Sequence, residues 1–415
     1  MNLNKIKNEI RREISMWISK KDDLTPDFVR ERADLFFKHM QENGKYLDVT
    51  DKIKQQIVNS LCADYMGLGP LQQLMEDEDV TEIMINGPNK VYIEKGGHKS
   101  TSGVKFESND HLKYIIEKMI SPTGRRVDES VPFVDFSLND GSRVNVILPP
   151  LSVGGASVTI RKFLRSIQKV DDLVRLGTID ERIAEFFVAC IKAKVNIIFS
   201  GATGSGKTTT LEVLSSYIDS QERIITIEDA LELNLQQDHI VRLLTRPPNI
   251  EGKGEITIRA LFRNTLRMRP TRIILGEVRG EEAMDYLQAL NSGHRGCLAV
   301  IHASSPSDTI TRLETTALYA TINLPTWAIR QQIASGLDLI VQHEQLPDGS
   351  RKITHVTEVE SLKENTIVLK DIFRYEVEEV TEDFKVKGEF KAFGKPSFFP
   401  IFRKKGVSIK ESIFK

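Results

Sequence analysis

Residues 201–208 constrain this chain more than any other stretch, because they read Gly-Ala-Thr-Gly-Ser-Gly-Lys-Thr. The stretch 195–200 before them is short, apolar and rich in β-branched residues, which predicts a buried parallel strand. The stretch 206–219 that follows predicts a helix. A glycine-rich loop that leaves a strand, ends in Lys-Thr and opens a helix is the pattern of a phosphate-binding loop. The alternative is a Gly/Ser turn that happens to precede a lysine.

The residue types of this loop indicate a nucleoside triphosphate. Its glycines let the backbone curl until several N–H groups face one anion, and the helix N-terminus adds a positive partial charge. Lys207 is expected at the β- and γ-phosphates, and the Thr208 hydroxyl is expected to ligate Mg²⁺. The predicted nucleotide-binding residues are Gly201, Ala202, Thr203, Gly204, Ser205, Gly206, Lys207, Thr208 and Thr209.

Composition excludes several classes of protein. The 57 basic and 58 acidic side chains balance, so net charge offers no argument for nucleic acid or an anionic membrane. No apolar run approaches the roughly 18 residues of a membrane span, and charges from Lys5 onward interrupt any signal-peptide core. Three distant cysteines argue for a reducing cytosol and against a disulfide framework, and they exclude a four-cysteine zinc site within one chain.

The chain divides into four segments by pattern. Residues 1–66 are expected to be helical. Their apolar stripe is expected to pack on its own protein or on a sister subunit, and a membrane-surface helix is the alternative; the stripe comprises Leu3, Ile6, Ile10, Ile14, Trp17 and Ile18. Residues 67–163 predict a small α+β domain, and residues 164–177 a linker. Residues 178–415 open with a capping box and then alternate strands and helices, which predicts a parallel sheet covered on both faces. Cys190 is expected in its core.

The sequence patterns predict individual strands and helices in both domains. Strands are predicted at 82–85, 90–93, 133–136, 143–148, 157–163, 195–200, 223–228, 272–276 and 297–302. Helices are predicted at 110–120, 206–219, 257–268, 280–291 and 325–335.

Acidic residues follow two of these strands. Glu228 and Asp229 end the strand 223–228, where a carboxylate can hold Mg²⁺ or orient water; helix-capping acids are the alternative. The strand 272–276 ends in Gly276, where most phosphate-loop enzymes place an Asp for Mg²⁺, and Glu277 comes next. We assign Glu277 to polarise the attacking water. The metal must then rely on Thr208, phosphate oxygens and water, with Glu228 as a further candidate ligand.

Two histidines bracket the strand 297–302. A lone histidine is usually structural, but two beside a strand of a nucleotide-binding sheet suggest a role. His302 is expected to sense the γ-phosphate or couple it to a neighbouring subunit, and His294 is a candidate nucleotide-binding residue. A zinc site at these histidines has no third ligand nearby in the sequence.

Phosphoryl transfer also needs positive charge on the γ-phosphate in the transition state. Arg143 and Arg161, in the predicted α+β domain, are candidates if that domain closes over the nucleotide. Taken singly, each would more often be a surface arginine. Arg267 and Arg269 are weaker alternatives.

In this order, the segments around 201–208, 225–232, 272–280 and 293–304 resemble the Walker A, Asp box, atypical Walker B and His box of the type II/type IV secretion ATPase superfamily. Further segments resemble its CpaF branch, which powers Tad (type IVc-like) pili: 81–88, 124–130, 246–252, 337–342 and 351–358. The match runs from about residue 60 to the C-terminus, and residues 1–55 are less diagnostic.

The resemblance implies a Mg²⁺-dependent ATPase with a RecA-like C-terminal domain, preceded by a smaller α+β (PAS-like) domain and a helical segment. It implies a cytoplasmic homohexameric ring, docked on an inner-membrane platform protein and acting indirectly on pilin. It also strengthens the prediction that Arg143 and Arg161 contact the nucleotide. Two departures are the absent four-cysteine zinc module and Thr271, where Asp is common. Gly276 is the family's own pattern and supports the resemblance.

Three alternatives remain open. One is a type IV secretion or DNA-transfer ATPase of the same superfamily, and another is a nucleotide switch or scaffold without turnover. The third is nucleic-acid binding by residues 385–415, which hold nine Lys/Arg and two Asp/Glu among several phenylalanines. For that segment we favour a folded subdomain with phenylalanines in its core, or a surface for acidic loops of a partner.

Overall fold

The computed structural model describes residues 3–17, 25–162, 167–246, 248–249, 252–320 and 324–415. The chain separates into two compact units, Met1–Leu164 and Arg165–Lys415. The limits predicted for the segments 1–66, 67–163, 164–177 and 178–415 stay predictions, and residues 163–166 lie outside the described residues. Within the described residues, no helix combines the length and apolar character needed to cross a bilayer.

The first unit begins with three helices: α1 (Leu3–Trp17), α2 (Pro26–Glu42) and α3 (Asp51–Met66). The stripe residues Ile6, Ile10 and Ile14 are buried in one apolar cluster with side chains of α2 and α3. Packing of this stripe on its own chain is therefore confirmed for these three residues. Ile18 and the side chains of Leu3 and Trp17 lie outside the described part.

The rest of the first unit is an antiparallel six-stranded sheet of order β3-β2-β1-β6-β5-β4 with α5 packed on its apolar face. Its elements are α4 (Gln72–Glu76), β1 (Val80–Asn86), β2 (Val91–Lys95), β3 (His98–Thr101), α5 (Asn109–Ile120), β4 (Phe133–Ser137), β5 (Arg143–Ile147) and β6 (Ser157–Arg161). The predicted elements match within about two residues, although residue 163 of the last predicted strand lies outside the described residues. The prediction missed β3, because its four exposed, polar residues carry no apolar alternation.

The second unit has a nine-stranded sheet of order β15-β14-β13-β12-β7-β11-β10-β8-β9. Its strands are β7 (Ile197–Gly201), β8 (Ile224–Glu228), β9 (Ile240–Leu244), β10 (Arg272–Leu275), β11 (Leu298–Ile301), β12 (Leu339–Gln345), β13 (Arg351–Lys363), β14 (Thr366–Val380) and β15 (Val386–Ala392). Its helices are α6 (Val170–Arg175), α7 (Glu181–Ala193), α8 (Lys207–Ser215), α9 (Ile258–Thr265), α10 (Glu282–Asn291), α11 (Pro306–Ala320), α12 (Thr326–Gly336) and α13 (Pro400–Lys404).

The predicted parallel sheet is confirmed, and it comprises the six strands from β12 to β9. Strands β12 to β15 form an antiparallel extension that the sequence patterns did not predict. Strand β15 alternates exposed and half-buried residues, and β13 and β14 place charged and polar residues among their apolar ones, a signal weaker than the continuous apolar runs of the central strands. Apolar clusters cover both faces of the central strands, since Ile197 and Phe199 of β7 belong to one and Ile198 to the other.

The C-terminal phenylalanines belong mainly to the core, which confirms the folded-subdomain interpretation for most of them. Phe402 and Phe414 are buried, and Phe390, Phe398 and Phe399 pack partly against the same cluster as α7. Phe393 is exposed. Cys190 is buried in α7, as expected, and burial raises the pKa of its thiol.

Candidate functional site

The loop 201–208 folds closely against neighbouring backbone. Gly201 has φ +146° and a Cβ there would lie 2.4 Å from the carbonyl oxygen of His343, so no other residue fits. The Ser205 hydroxyl donates to the carbonyl oxygen of Ala202 at 2.8 Å. The buried Lys207 ammonium donates to the same oxygen at 2.6 Å. Lys207 thus lies at the start of α8 with its charge turned into the loop.

The parallel strands bring the other candidates to this edge of the sheet. Strand β7 ends in the loop, and β8 ends at Glu228. Glu277 follows β10 after one glycine, and His302 directly follows β11. Because β8, β10, β11 and β7 are neighbours and run parallel, their carboxyl ends lie together. The structure therefore brings the loop, Glu228, Glu277 and His302 to one edge.

Glu277 lies in a network of charged side chains. Its carboxylate accepts a hydrogen bond from Arg279, and its Oε1 lies 3.6 Å from Nε2 of His302. Arg279 also lies 3.5 Å from Asp229. Burial would raise the pKa of Glu277, but the contacts with His302 and Arg279 outweigh it and lower that pKa to about 2. Glu277 is therefore ionised at neutral pH, as an acceptor for water must be.

Glu228 is held more tightly than the strand-end pattern suggested. One carboxylate oxygen accepts hydrogen bonds from the backbone N–H groups of Glu232 and Leu233, both at 2.8 Å, and the other accepts one from Thr226 at 3.3 Å. Burial raises the pKa of this carboxyl group despite those bonds. This arrangement is a cap on the following loop, so its role toward metal or water stays a proposal.

His294 requires a correction. It precedes β11, whose first residue Leu298 pairs with Ile197, the first residue of β7. His294 therefore lies toward the amino-terminal edge of the strands, opposite the phosphate-binding loop of its own unit. The two histidines flank one strand in the sequence. They therefore lie at opposite ends of that strand and at opposite edges of the sheet. Arg267 and Arg269 precede β10 and lie toward that same distant edge.

Arg143 and Arg161 lie in the first unit, where β5 and β6 place them directly opposite each other. Opposed residues of antiparallel strands point to the same face. Arg161 also lies 3.6 Å from Glu82, its register partner on β1. The two arginines thus form one basic pair on the sheet, and their action on a nucleotide stays a proposal.

Sequence reasoning missed three residues near the loop. Arg279 stands within the Gly-Glu-Val-Arg segment and was open to detection there. His343 and Arg351 come from the β12–β13 hairpin, and no local pattern links them to a loop more than 130 residues earlier. His343 is fully buried with neither ring nitrogen hydrogen-bonded to a described residue, and burial, aided by Lys207, lowers its pKa to about 3.

Known proteins resemble this chain over most of its length. A family model described as "Type II/IV secretion system protein" matches residues 64–367. The "Probable conjugal transfer protein TrbB" of Sinorhizobium fredii is 31% identical over 350 residues, covering 83% of this chain and 98% of that protein. The "Type IV secretion system protein PtlH" of Bordetella pertussis is 33% identical over 305 residues, covering 67% of this chain and 89% of that protein. The solved structure of the Legionella pneumophila ATPase DotB shares the fold, with TM-score 0.51 and 21% identity over 71% of this chain and 79% of that one.

Proposed function

The chain belongs to the type II/IV secretion system protein family, and from that premise we propose that it is a Mg²⁺-dependent ATPase motor for assembly of Tad-type pili. Its fold is α/β, with a RecA-like ATPase domain after a smaller N-terminal domain, as predicted. The observation that carries the proposal is that Glu277 lies at the same sheet edge as the loop 201–208.

Each residue at this edge has a task in hydrolysis. The loop's backbone and Lys207 bind the phosphates of ATP, and Glu277 orients the attacking water and accepts its proton. Arg279 and His302 fix the orientation of Glu277. Arg143 and Arg161 are proposed to neutralise charge on the γ-phosphate, which would couple hydrolysis to movement of the N-terminal domain.

Mg²⁺ fits this donor set. Among the described residues no group of three or more His, Cys, Asp or Glu side chains is arranged to hold a metal ion. Mg²⁺ in nucleotide sites needs few protein ligands, because phosphates and water supply the rest. Thr208, half-buried in the first turn of α8, is the proposed protein ligand, with Glu228 as a second candidate. The ion would neutralise phosphate charge as the γ-phosphate leaves.

Two single substitutions test the activity. Glu277→Gln should lower kcat about 10²- to 10⁴-fold while ATP binding persists, because it removes the proton acceptor. Lys207→Ala should weaken ATP binding itself. Glu364→Gln and Lys192→Ala, at exposed positions, are matched controls. Unchanged phosphate release in both site variants would refute hydrolysis at this edge, and no phosphate release from assembled wild-type protein would favour a nucleotide switch.

The assembly and its location follow from the same proposal. We propose a homohexameric ring on the cytoplasmic face of the inner membrane, held there by a platform protein and acting on pilin through it. Electron microscopy of the protein with a non-hydrolysable ATP analogue should show six-membered rings. A stable monomer under those conditions would contradict the ring.

A type IV secretion or DNA-transfer ATPase is the alternative to the Tad assignment. Segments such as 81–88 and 351–358 support the Tad assignment, whereas the printed names of TrbB and PtlH refer to conjugal transfer and type IV secretion. Deleting the gene in its source organism distinguishes them. Loss of surface pili with unchanged DNA transfer supports the Tad assignment, and the reverse supports a transfer ATPase. Restoration by wild-type protein, but not by Glu277→Gln, is the control.

A further inference from the structure

The β12–β13 hairpin runs beside the phosphate-binding loop. Strand β12 is parallel to β7 and places His343 opposite Gly201, the first residue of the loop. Strand β13 returns antiparallel, with Arg351 opposite Gln345. The first residue of β13 therefore lies at the carboxyl edge of the parallel strands, which is the edge where such sheets bind ligands.

Arg351 reaches the loop itself. Its Cδ lies 3.6 Å from the position that a Cβ on Gly206 would occupy, which is ordinary van der Waals contact. Gly206 directly precedes Lys207 and the nine-residue helix α8. The aliphatic stem of Arg351 thus packs on the last glycine of the loop, at the end of α8 where backbone N–H groups and the helix dipole favour an anion.

The hairpin holds this arginine in place. At the turn, the Asp348 carboxylate accepts hydrogen bonds from the backbone N–H and hydroxyl of Ser350, at 2.9 and 2.6 Å, and from the backbone N–H of Val386 at 3.3 Å. The next basic residue, Lys352, donates to the carbonyl oxygen of Gly177 at 2.5 Å and so serves a different contact. Arg351 is therefore the hairpin's basic residue at the loop.

We propose that Arg351 binds the phosphates of the nucleotide from within the ATPase domain. A guanidinium stays charged and offers several fixed N–H donors, which suits bidentate contact with phosphate oxygens. The inference rests on the proposed function, since it needs a nucleotide at residues 201–208. It adds a cationic residue contributed by the hairpin rather than by the loop.

Calorimetric titration of the full-length protein with ADP tests this role. Arg351→Gln should weaken ADP binding about tenfold, and Arg351→Lys severalfold, because lysine keeps the charge but loses the fork of donors. Arg374→Gln is the matched control, since Arg374 lies on β14 and pairs with Glu376. It should bind ADP as the wild type does.

The outcomes separate this inference from the proposed function. Wild-type protein that fails to bind ADP overturns both. Wild-type binding with equal affinity in Arg351→Gln overturns the role of Arg351 alone. If Arg351→Gln does not fold, as judged by its thermal unfolding, Arg351→Lys decides: affinity equal to the wild type overturns the inference, and a severalfold loss supports it.

Discussion

The Glu228 side chain fills the space beside Gly276, at the ends of the neighbouring strands β8 and β10. A Cβ on Gly276 would lie 3.0 Å from Cγ of Glu228 and 3.4 Å from the carbonyl oxygen of Ile227. The Glu228 side chain therefore occupies the place that a side chain on the next strand would need. This accounts physically for a glycine at the position where an Asp is usual in phosphate-loop enzymes.

Gly276→Ala should lower the free energy of unfolding by about 1–3 kcal/mol, because overpacked sites must move backbone or shift rotamers. Gly280→Ala is the matched control, since the nearest atom to its Cβ is a side-chain oxygen of Glu282 at 3.4 Å. Urea unfolding measures both. Equal stability of the two variants would show that the space between β8 and β10 is not limiting.

Glu277 should make stability depend on acid pH. Its folded-state pKa of about 2 lies below the ordinary value of 4.5. Its contribution to the free energy of unfolding is therefore fully present above pH 4.5 and is lost as the pH falls toward 2. We expect wild type to exceed Glu277→Gln by up to about 3 kcal/mol in unfolding free energy at pH 7. The difference should shrink at pH 3, and a difference independent of pH would contradict the assigned network.

His343 should also make stability fall as pH falls, but over a higher pH range, because its buried neutral ring resists protonation. Its folded-state pKa of about 3 lies below the ordinary value of 6.5. Between these two pH values the unfolded chain therefore binds a proton that the folded chain does not bind. Wild type should therefore lose about 1.4 kcal/mol per pH unit between pH 6 and 4 through this group. His343→Leu should lack that slope, whereas the exposed His98→Leu should keep it. The same slope in all three proteins would refute the assignment.

Asp64 should be essential to the first unit. Its buried carboxylate contacts Arg11 and lies 3.1 Å from Nε2 of His111, while Arg11 also pairs with Glu107 at 2.8 Å. Asp64→Ala removes the carboxylate that Nε2 of His111 contacts and one of the two carboxylates paired with Arg11, and should cost about 3–5 kcal/mol of unfolding free energy.

The exposed Asp27, which lies 3.3 Å from Arg30, provides the control for Asp64. Asp27→Ala should change stability by less than about 1 kcal/mol, because an exposed pair is screened by water. Similar losses in the two variants would mean that the buried cluster contributes no more than a surface ion pair.

The sequence predicted the positions of the candidate site residues where a local pattern carried the information. The loop 201–208 has its strand and helix on either side, and the alternation of strands and helices implied parallel strands with a shared carboxyl edge. That inference brought Glu228, Glu277 and His302 together correctly. It misplaced His294, because the motif shows adjacency along the chain and not the direction in which the strand crosses the sheet.

By itself, the sequence determined the phosphate-binding loop, the two-part α/β organisation and the family, because each is written in neighbouring residues or in the order of motifs. Only the tertiary structure decided the antiparallel extension of the sheet, the contact of Gly276 with Glu228 and the placement of Arg351 against Gly206. Those features depend on which strands pair and in what register. Pairing joins residues far apart in the chain, and it follows from packing of the whole domain rather than from any local pattern.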